Sequence, residues 1–163
     1  MSDIEFRTGL GWDVHRIAPG RPLLLGGVTI PSEFGLDGHS DADILLHALT
    51  DAILGAAALG DIGMHFPDTD PQWKGAASAR FLEHAVALLN KNGFEVVNVD
   101  TTVILEKPKL KNYREPIRES LARALALPLD RVSVKFKTAE GVGAVGQGLS
   151  AEAQAIVLIA RTR

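Results

Sequence analysis

The sequence predicts an α+β domain: a mixed sheet of about four main strands with helices packed on one face. Three observations point there. Residues 41–59 contain no proline, are rich in alanine and leucine, and carry apolar residues around almost the whole circumference of a helix, which describes a buried one. After it, helical and extended patterns alternate to the C-terminus. The extended stretches, 4–17, 94–105, 132–140 and 151–159, are suited to forming one sheet.

Taken in order, residues 4–17 read as a strand around Gly11-Trp12-Asp13-Val14-His15-Arg16. Side chains alternate along a strand, so Asp13 and His15 share one face and Trp12 and Val14 the other. Two short strands, 23–25 and 28–30, meet at Gly26-Gly27, a dipeptide suited to a tight hairpin. Residues 31–38 read as a loop leading to His39. Ser40 with Asp43 three residues later resembles a capping box for the long helix, and Gly60 supplies a stop.

Residues 61–75 are polar and broken by proline, about 15 in all, a length that in a compact domain goes with a lid or substrate loop. His65 is an ordinary loop histidine on this reading. Residues 76–92 form an amphipathic helix capped by Gly93, with Phe81, Leu82, Ala85 and Leu89 on its inner stripe. A strand follows at 94–105, then a basic turn, then a second amphipathic helix between Tyr113 and Leu127, stopped at Pro128. Val132, Val134 and Phe136 alternate as one face of a strand, a glycine-rich loop spans 141–148, and 151–159 is the last strand.

The chain of 163 residues reads as a single domain, 1–163, long enough for a real core. Its net charge of −3 argues against a nucleic-acid binder. With no cysteine, disulfides are excluded and any zinc site must use His, Asp or Glu. The N-terminal stretch with Asp3, Glu5 and Arg7 has no apolar leader core, and no apolar run approaches the ~20 residues of a membrane span, so a cytoplasmic protein is expected.

The polar residues of the central helix carry the chemistry. Asp43, His47 and Asp51 stand at i, i+4 spacing on one face. A buried carboxylate must meet a metal, a partner charge or a solvent-filled cleft. Asp13-x-His15 is by itself a weak metal signal, and two exposed polar residues alternating with apolar ones are the more ordinary reading of it. Together Asp13, His15 and His47 form a candidate zinc set, three N/O ligands that leave a fourth position open, and Asp51 is placed to orient the His47 imidazole. His39, just ahead of the helix, sits where free N–H groups favour anions.

Asp13-Val14-His15, the run from His39-Ser40-Asp41-Ala42-Asp43 through His47, Asp51 and Asp61-Ile62-Gly63, then Phe66-Pro67-Asp68-Thr69-Asp70, Pro108-Lys109 and Lys137-Thr138-Ala139-Glu140 closely resemble the 2-C-methyl-D-erythritol 2,4-cyclodiphosphate synthase family over nearly the whole chain. The resemblance implies a homotrimer of ferredoxin-like protomers with active sites between subunits. It implies zinc on Asp13, His15 and His47, and a second divalent ion, magnesium or manganese, on Glu140 and the substrate phosphates. The substrate would be 4-diphosphocytidyl-2-C-methyl-D-erythritol 2-phosphate. The products would be the cyclic diphosphate and CMP, in the non-mevalonate isoprenoid pathway.

Catalytic roles carry over to His39 and Thr138, as stabilisers of the transition state. Asp13, Val14, His15, His39 and Ser40 carry over as substrate contacts, with Asp61, Ile62, Gly63, Phe66, Pro67, Asp68, Thr69 and Asp70 covering the methylerythritol phosphate. The turn Leu105, Glu106, Lys107, Pro108, Lys109, Leu110 and Lys111 of a neighbouring subunit would take cytidine and its phosphates, with Lys137, Thr138, Ala139 and Glu140. Ala144 and Gln147 stand where the family often places phenylalanine and arginine around a cavity on the trimer axis. Lys137 and Ala139 stand where threonines are common. The same three metal ligands would also serve a zinc phosphoester hydrolase, or a zinc-stabilised trimer that binds nucleotides without turnover.

Overall fold

The computed structural model describes residues 4–162; Asp3, part of the leader argument, lies outside them. The chain forms β1 (Ile4–Pro19), β2 (Leu23–Leu25), β3 (Val28–Ile30), β4 (Phe34–Leu36), α1 (Ile44–Ala56), α2 (Ile62–His65), α3 (Ala79–Lys91), β5 (Glu95–Ile104), α4 (Arg114–Leu125), β6 (Val132–Lys137), α5 (Gly143–Gly146) and β7 (Ser150–Thr162). The main sheet has five strands in the order β4-β1-β7-β5-β6, and β2 and β3 pair as a separate hairpin.

The expected count of four is therefore corrected to five. The added strand is β4, inside the stretch read as a loop, where it pairs antiparallel with Ile17, Ala18 and Pro19. Three residues with a central glycine carry too little alternation to register as a strand. The ferredoxin-like label also needs correction. That motif runs βαββαβ, whereas here the elements of the main layers run β1, α1, α3, β5, α4, β6, β7. The pair β5–β6 is parallel, so α4 must serve as its crossover, and β7 then inserts antiparallel between β1 and β5.

Helices cover one face, as expected. Along β7, Ala151, Ala153, Ala155, Val157 and Ile159 are buried, and α1 packs across them and across β1. Strand and helix approach closely where β1 presents Gly9 and Gly11. A Cβ at Gly9 would lie 1.9 Å from the Ala52 carbonyl oxygen, and one at Gly11 1.8 Å from that of Ala48. The opposite face of the sheet carries Phe6, Leu10, Trp12 and Ile156, each at least half exposed.

Helix α1 is buried nearly all round, but it begins later than the pattern predicts. Ala42 adopts φ 58°, which interrupts the helical run, and Asp43 is itself the N-cap. Its buried carboxylate accepts from Leu46 N–H at 3.1 Å and from Gly26 and Gly27 N–H at 2.9 and 2.7 Å. Backbone donors of the β2–β3 turn thus take the place of a metal or partner charge. The same burial raises the Asp43 carboxyl above its ordinary value, against the pull of the three N–H bonds. The expected loops at 61–75 and 141–148 hold α2, a 3-10 turn at Pro71–Trp73, and α5.

Candidate active site

Contact between β1 and α1 brings Asp13, His15 and His47 together. Donor atoms of all three lie within 4.8 Å of one another. Asp13 Oδ2 is 3.0 Å from His15 Nε2 and 2.9 Å from His47 Nδ1. Metal bonds of about 2.0–2.2 Å to N and O donors place tetrahedral ligands about 3.3 Å apart, so a small opening of this cluster admits a cation. The donor set fits zinc.

The surroundings hold these groups in place. His15 Nδ1 bonds to the Asp37 carbonyl, which can only accept, so Nε2 is the nitrogen left facing Asp13. Burial alone would raise the Asp13 carboxyl; hydrogen bonds from His15 and His47, and their charges, outweigh it and bring it down to about 2. Burial would lower His15, but its bonds to Asp13 and the Asp37 carbonyl raise it above the ordinary imidazole value. The segment carrying Asp37 is braced by Arg21, which donates to Asp37 Oδ1 and the Gly38 carbonyl at 3.0 Å and to the Ser40 carbonyl at 3.1 Å.

Asp51 does not hydrogen-bond to His47 among the described residues. Its carboxylate accepts from Ile62 N–H at 2.7 Å and so ties the start of α2 to α1. Burial raises its carboxyl, with the Ile62 N–H acting against. His47 Nε2 instead faces Ser78 Oγ at 2.8 Å and Ser40 Oγ at 3.1 Å. Ser78, Asp41 and Arg21 were not singled out from sequence. Asp41 lay within the motif; nothing in the sequence marks Ser78 or Arg21.

The 61–75 segment closes one side of this cluster. Its far end is held by the Gly75 N–H bond to the His39 carbonyl, 2.8 Å, and the Asp41 N–H bond to the Ala76 carbonyl, 3.0 Å. Phe66 stacks on Phe81 at 4.4 Å and edge-on against Trp73 at 5.0 Å, and Phe81 lies 5.9 Å from the His47 ring. Asp61 caps α2 by accepting from Met64 N–H, and Asp70 caps the following turn by accepting from Gln72 N–H. Gly63, Pro67, Asp68 and Thr69 are exposed, as are His39 and Val14, the latter on the face of β1 opposite Asp13 and His15; Ser40 is buried. His65 bonds to the Leu59 carbonyl at 2.9 Å and has no place in the cluster.

A second cluster forms at the end of β6. Leu105 N–H donates to the Lys137 carbonyl and Ala139 N–H to Glu106 Oε2, both at 3.0 Å, lacing the 105–111 turn to 137–140. A cavity of about 250 Å³ lies between them, lined by Lys109, Lys111, Arg114 and Lys137 with Phe136 and Thr138, and by no carboxylate. Thr138 Oγ1 donates to Glu140 Oε1 at 2.6 Å. Glu140 holds φ 52°, a left-handed conformation costing about 1–3 kcal/mol outside glycine and frequent at ligand clamps. Ala144 and Gln147 are exposed, and Gln147 borders a different cavity of about 280 Å³ with Glu106 and Lys107. Another hollow, about 690 Å³, is bounded by Asp100, Arg118, Arg131 and Lys135 and contains none of the metal-cluster residues.

The two clusters stand apart. Val14 pairs with Glu152, Glu152 with Ile104, and Ile104 with Lys137. They therefore lie at the same level of the sheet but three strand spacings apart, about 14 Å.

The model of the YgbB family matches residues 6–160. A protein of Solibacter usitatus named 2-C-methyl-D-erythritol 2,4-cyclodiphosphate synthase is 70% identical over 155 residues, 95% of this chain and 98% of that one. The structure of the bifunctional IspDF from Campylobacter jejuni matches with a TM-score of 0.94 at 42% identity, over 98% of this chain; this chain spans 43% of that one. A CDP-bound structure of 2C-methyl-D-erythritol-2,4-cyclodiphosphate synthase matches with a TM-score of 0.87 at 44% identity, over 94% of this chain and 99% of that one.

Proposed function

The chain belongs to the YgbB family of 2-C-methyl-D-erythritol 2,4-cyclodiphosphate synthases, and on that footing we propose how its own residues carry the reaction. The substrate is 4-diphosphocytidyl-2-C-methyl-D-erythritol 2-phosphate. An oxygen of its 2-phosphate forms a bond to the β-phosphorus, the bond from that phosphorus to the bridging oxygen breaks, and CMP leaves with the electron pair. The nucleophile is already an anion, so no strong general base is required; positioning and charge neutralisation do the rest. The observation that carries this reading is the pairing of an Asp-His-His cluster with a carboxylate-free cationic cavity at the same level of one sheet.

Asp13, His15 and His47 hold zinc, and Glu140 with the substrate phosphates holds magnesium or manganese. Bound there, the two ions supply Lewis-acid polarisation and neutralise phosphate charge. His39 at the rim and Thr138 at the end of β6 donate to the transferring phosphoryl oxygens. Segment 61–70 covers the methylerythritol phosphate and keeps water from the β-phosphorus. Lys109, Lys111 and Lys137 neutralise the nucleotide phosphates while the 105–111 turn receives cytidine.

The gap of about 14 Å between the clusters favours an assembly in which the metal cluster of one subunit meets the nucleotide turn of the next. The apolar outer face of the sheet supplies the contact for a homotrimer, which would act in the cytoplasm. Leu10, 67% exposed in the single chain, tests this. If the face were free, Leu10→Arg would change stability by under about 0.5 kcal/mol. The expected result is a trimer for the unaltered protein in analytical ultracentrifugation, and single chains with little activity for Leu10→Arg. A Leu10→Arg trimer of normal activity would refute this interface.

The reaction itself is tested in heavy-oxygen water. CMP and the cyclic diphosphate should form with no solvent oxygen in either. Label in the products would indicate hydrolysis instead.

A further inference from the structure

A neutral imidazole offers one nitrogen to a cation and keeps its proton on the other, and the partner of that second nitrogen decides which is which. For His47 the partner is Ser78. Its hydroxyl, fully buried, lies 2.8 Å from Nε2. On the other side it hydrogen-bonds to Asp41 Oδ1, while the Ser78 backbone N–H donates to Asp41 Oδ2 at 3.0 Å. A carboxylate can only accept, so the single hydroxyl proton of Ser78 is committed to Asp41. Toward His47 the hydroxyl then has only a lone pair to offer. Nε2 must therefore carry a proton, and it also reaches Ser40 Oγ at 3.1 Å, so the hydrogen bond from Nδ1 to Asp13 is the one that a bound cation would replace. Ser40 Oγ in turn accepts from Ala42 N–H at 3.2 Å.

We propose that Ser78, oriented by Asp41, is a positioning residue for the metal centre: it accepts the His47 Nε2 proton and so fixes Nδ1, the nitrogen 2.9 Å from Asp13, as the ligand atom. This rests on the reading of Asp13, His15 and His47 as a metal site. The relay also joins separate parts of the chain. Asp41 precedes α1, Ser78 precedes α3, and Asp41 N–H is bonded to the Ala76 carbonyl at the end of the 61–75 segment. A displacement of that segment would thus reach the metal ligand through the hydrogen bonds Ala76–Asp41, Asp41–Ser78 and Ser78–His47.

Ser78→Ala removes the acceptor and the hydroxyl's bond to Asp41 Oδ1, but it breaks no cap of α3, because the Ser78 side chain makes none. The metal-free variant should unfold within a few degrees of the unaltered protein. Zinc affinity, read by competition with a chromophoric chelator, should fall about 10- to 100-fold. In the zinc-loaded, nitrogen-15-labelled protein, the His47 Nε2 proton should be visible and slow to exchange, and in Ser78→Ala it should exchange fast. Asp41→Asn offers one acceptor where Ser78 needs two, so its affinity should also fall.

Equal zinc affinity with an equally protected Nε2 proton in Ser78→Ala would overturn the proposal, as would zinc bound through Nε2 in the unaltered protein. Unchanged affinity in Asp41→Asn would remove Asp41 from it. Failure of the unaltered protein to bind zinc would be a different result, overturning the metal-site reading beneath it.

Discussion

Replacing His47 by alanine is expected to abolish zinc binding and lower turnover about a thousandfold while leaving a folded protein. His47 is one of three donors, and the remaining pair, Asp13 and His15, sits on one strand with nothing on α1 to complete the set. Loss of the ion removes several kcal/mol of charge stabilisation at the phosphoryl group. At about 1.4 kcal/mol per tenfold in rate, 4 kcal/mol corresponds to about a thousandfold. The fold does not depend on this side chain. His47 is buried, but it lies at the edge of the aromatic group of Phe81, Phe66 and Trp73 and is not part of the apolar cluster of α1 and β7. Metal content by mass spectrometry, initial rates and thermal unfolding check the three parts. One zinc per chain with normal rates would show that the ligand assignment is wrong.

Much of this site was legible because its residues break the pattern around them. In a helix apolar on nearly every side, His47 and Asp51 stand out at once, and the alternation of β1 puts Asp13 and His15 on one face. The hairpin at Gly26-Gly27 was legible for a similar reason: both residues adopt positive φ, which that turn demands. What was not legible depends on distant partners. Asp43 looks like part of a functional stripe, yet its carboxylate is committed to the backbone of a turn some 17 residues earlier. Asp51 sits one turn from His47 but bonds to Ile62. Ser78 gives no local signal, since its role is defined wholly by His47 and Asp41. The short strand β4 exists because β1 offers it an edge, which no pattern within three residues can announce.

Gly9 and Gly11 are the sharpest case, and they carry the other large expected effect. In the sequence they are simply two glycines of a strand, where glycine is usually a weakness. In the structure they let β1 lie against α1 at backbone contact. The nearest neighbours of a Cβ at Gly11 are the Ala48 carbonyl oxygen at 1.8 Å and the Ala52 nitrogen at 2.8 Å. Both are helix backbone, so no side chain can rotate away; strand and helix must separate by more than an ångström. Helix α1 is wedged among buried residues on its other sides and has nowhere to retreat.

Gly11→Ala should therefore cost more than the 1–3 kcal/mol usual for overpacking. It should also weaken zinc binding, because Asp13 is two residues along the same face of β1 and His47 is the residue before Ala48. Gly55→Ala provides the contrast: the site is exposed on the same helix, with nothing within 4 Å of the new methyl group. That change should stabilise the chain by about 0.5–1 kcal/mol, the ordinary gain of alanine over glycine in a helix. Urea unfolding and zinc competition on the two variants measure both effects. A Gly11→Ala protein with unaltered midpoint and zinc affinity would mean that β1 and α1 do not meet at backbone contact, and that Asp13 and His47 are brought together by something other than these two glycines.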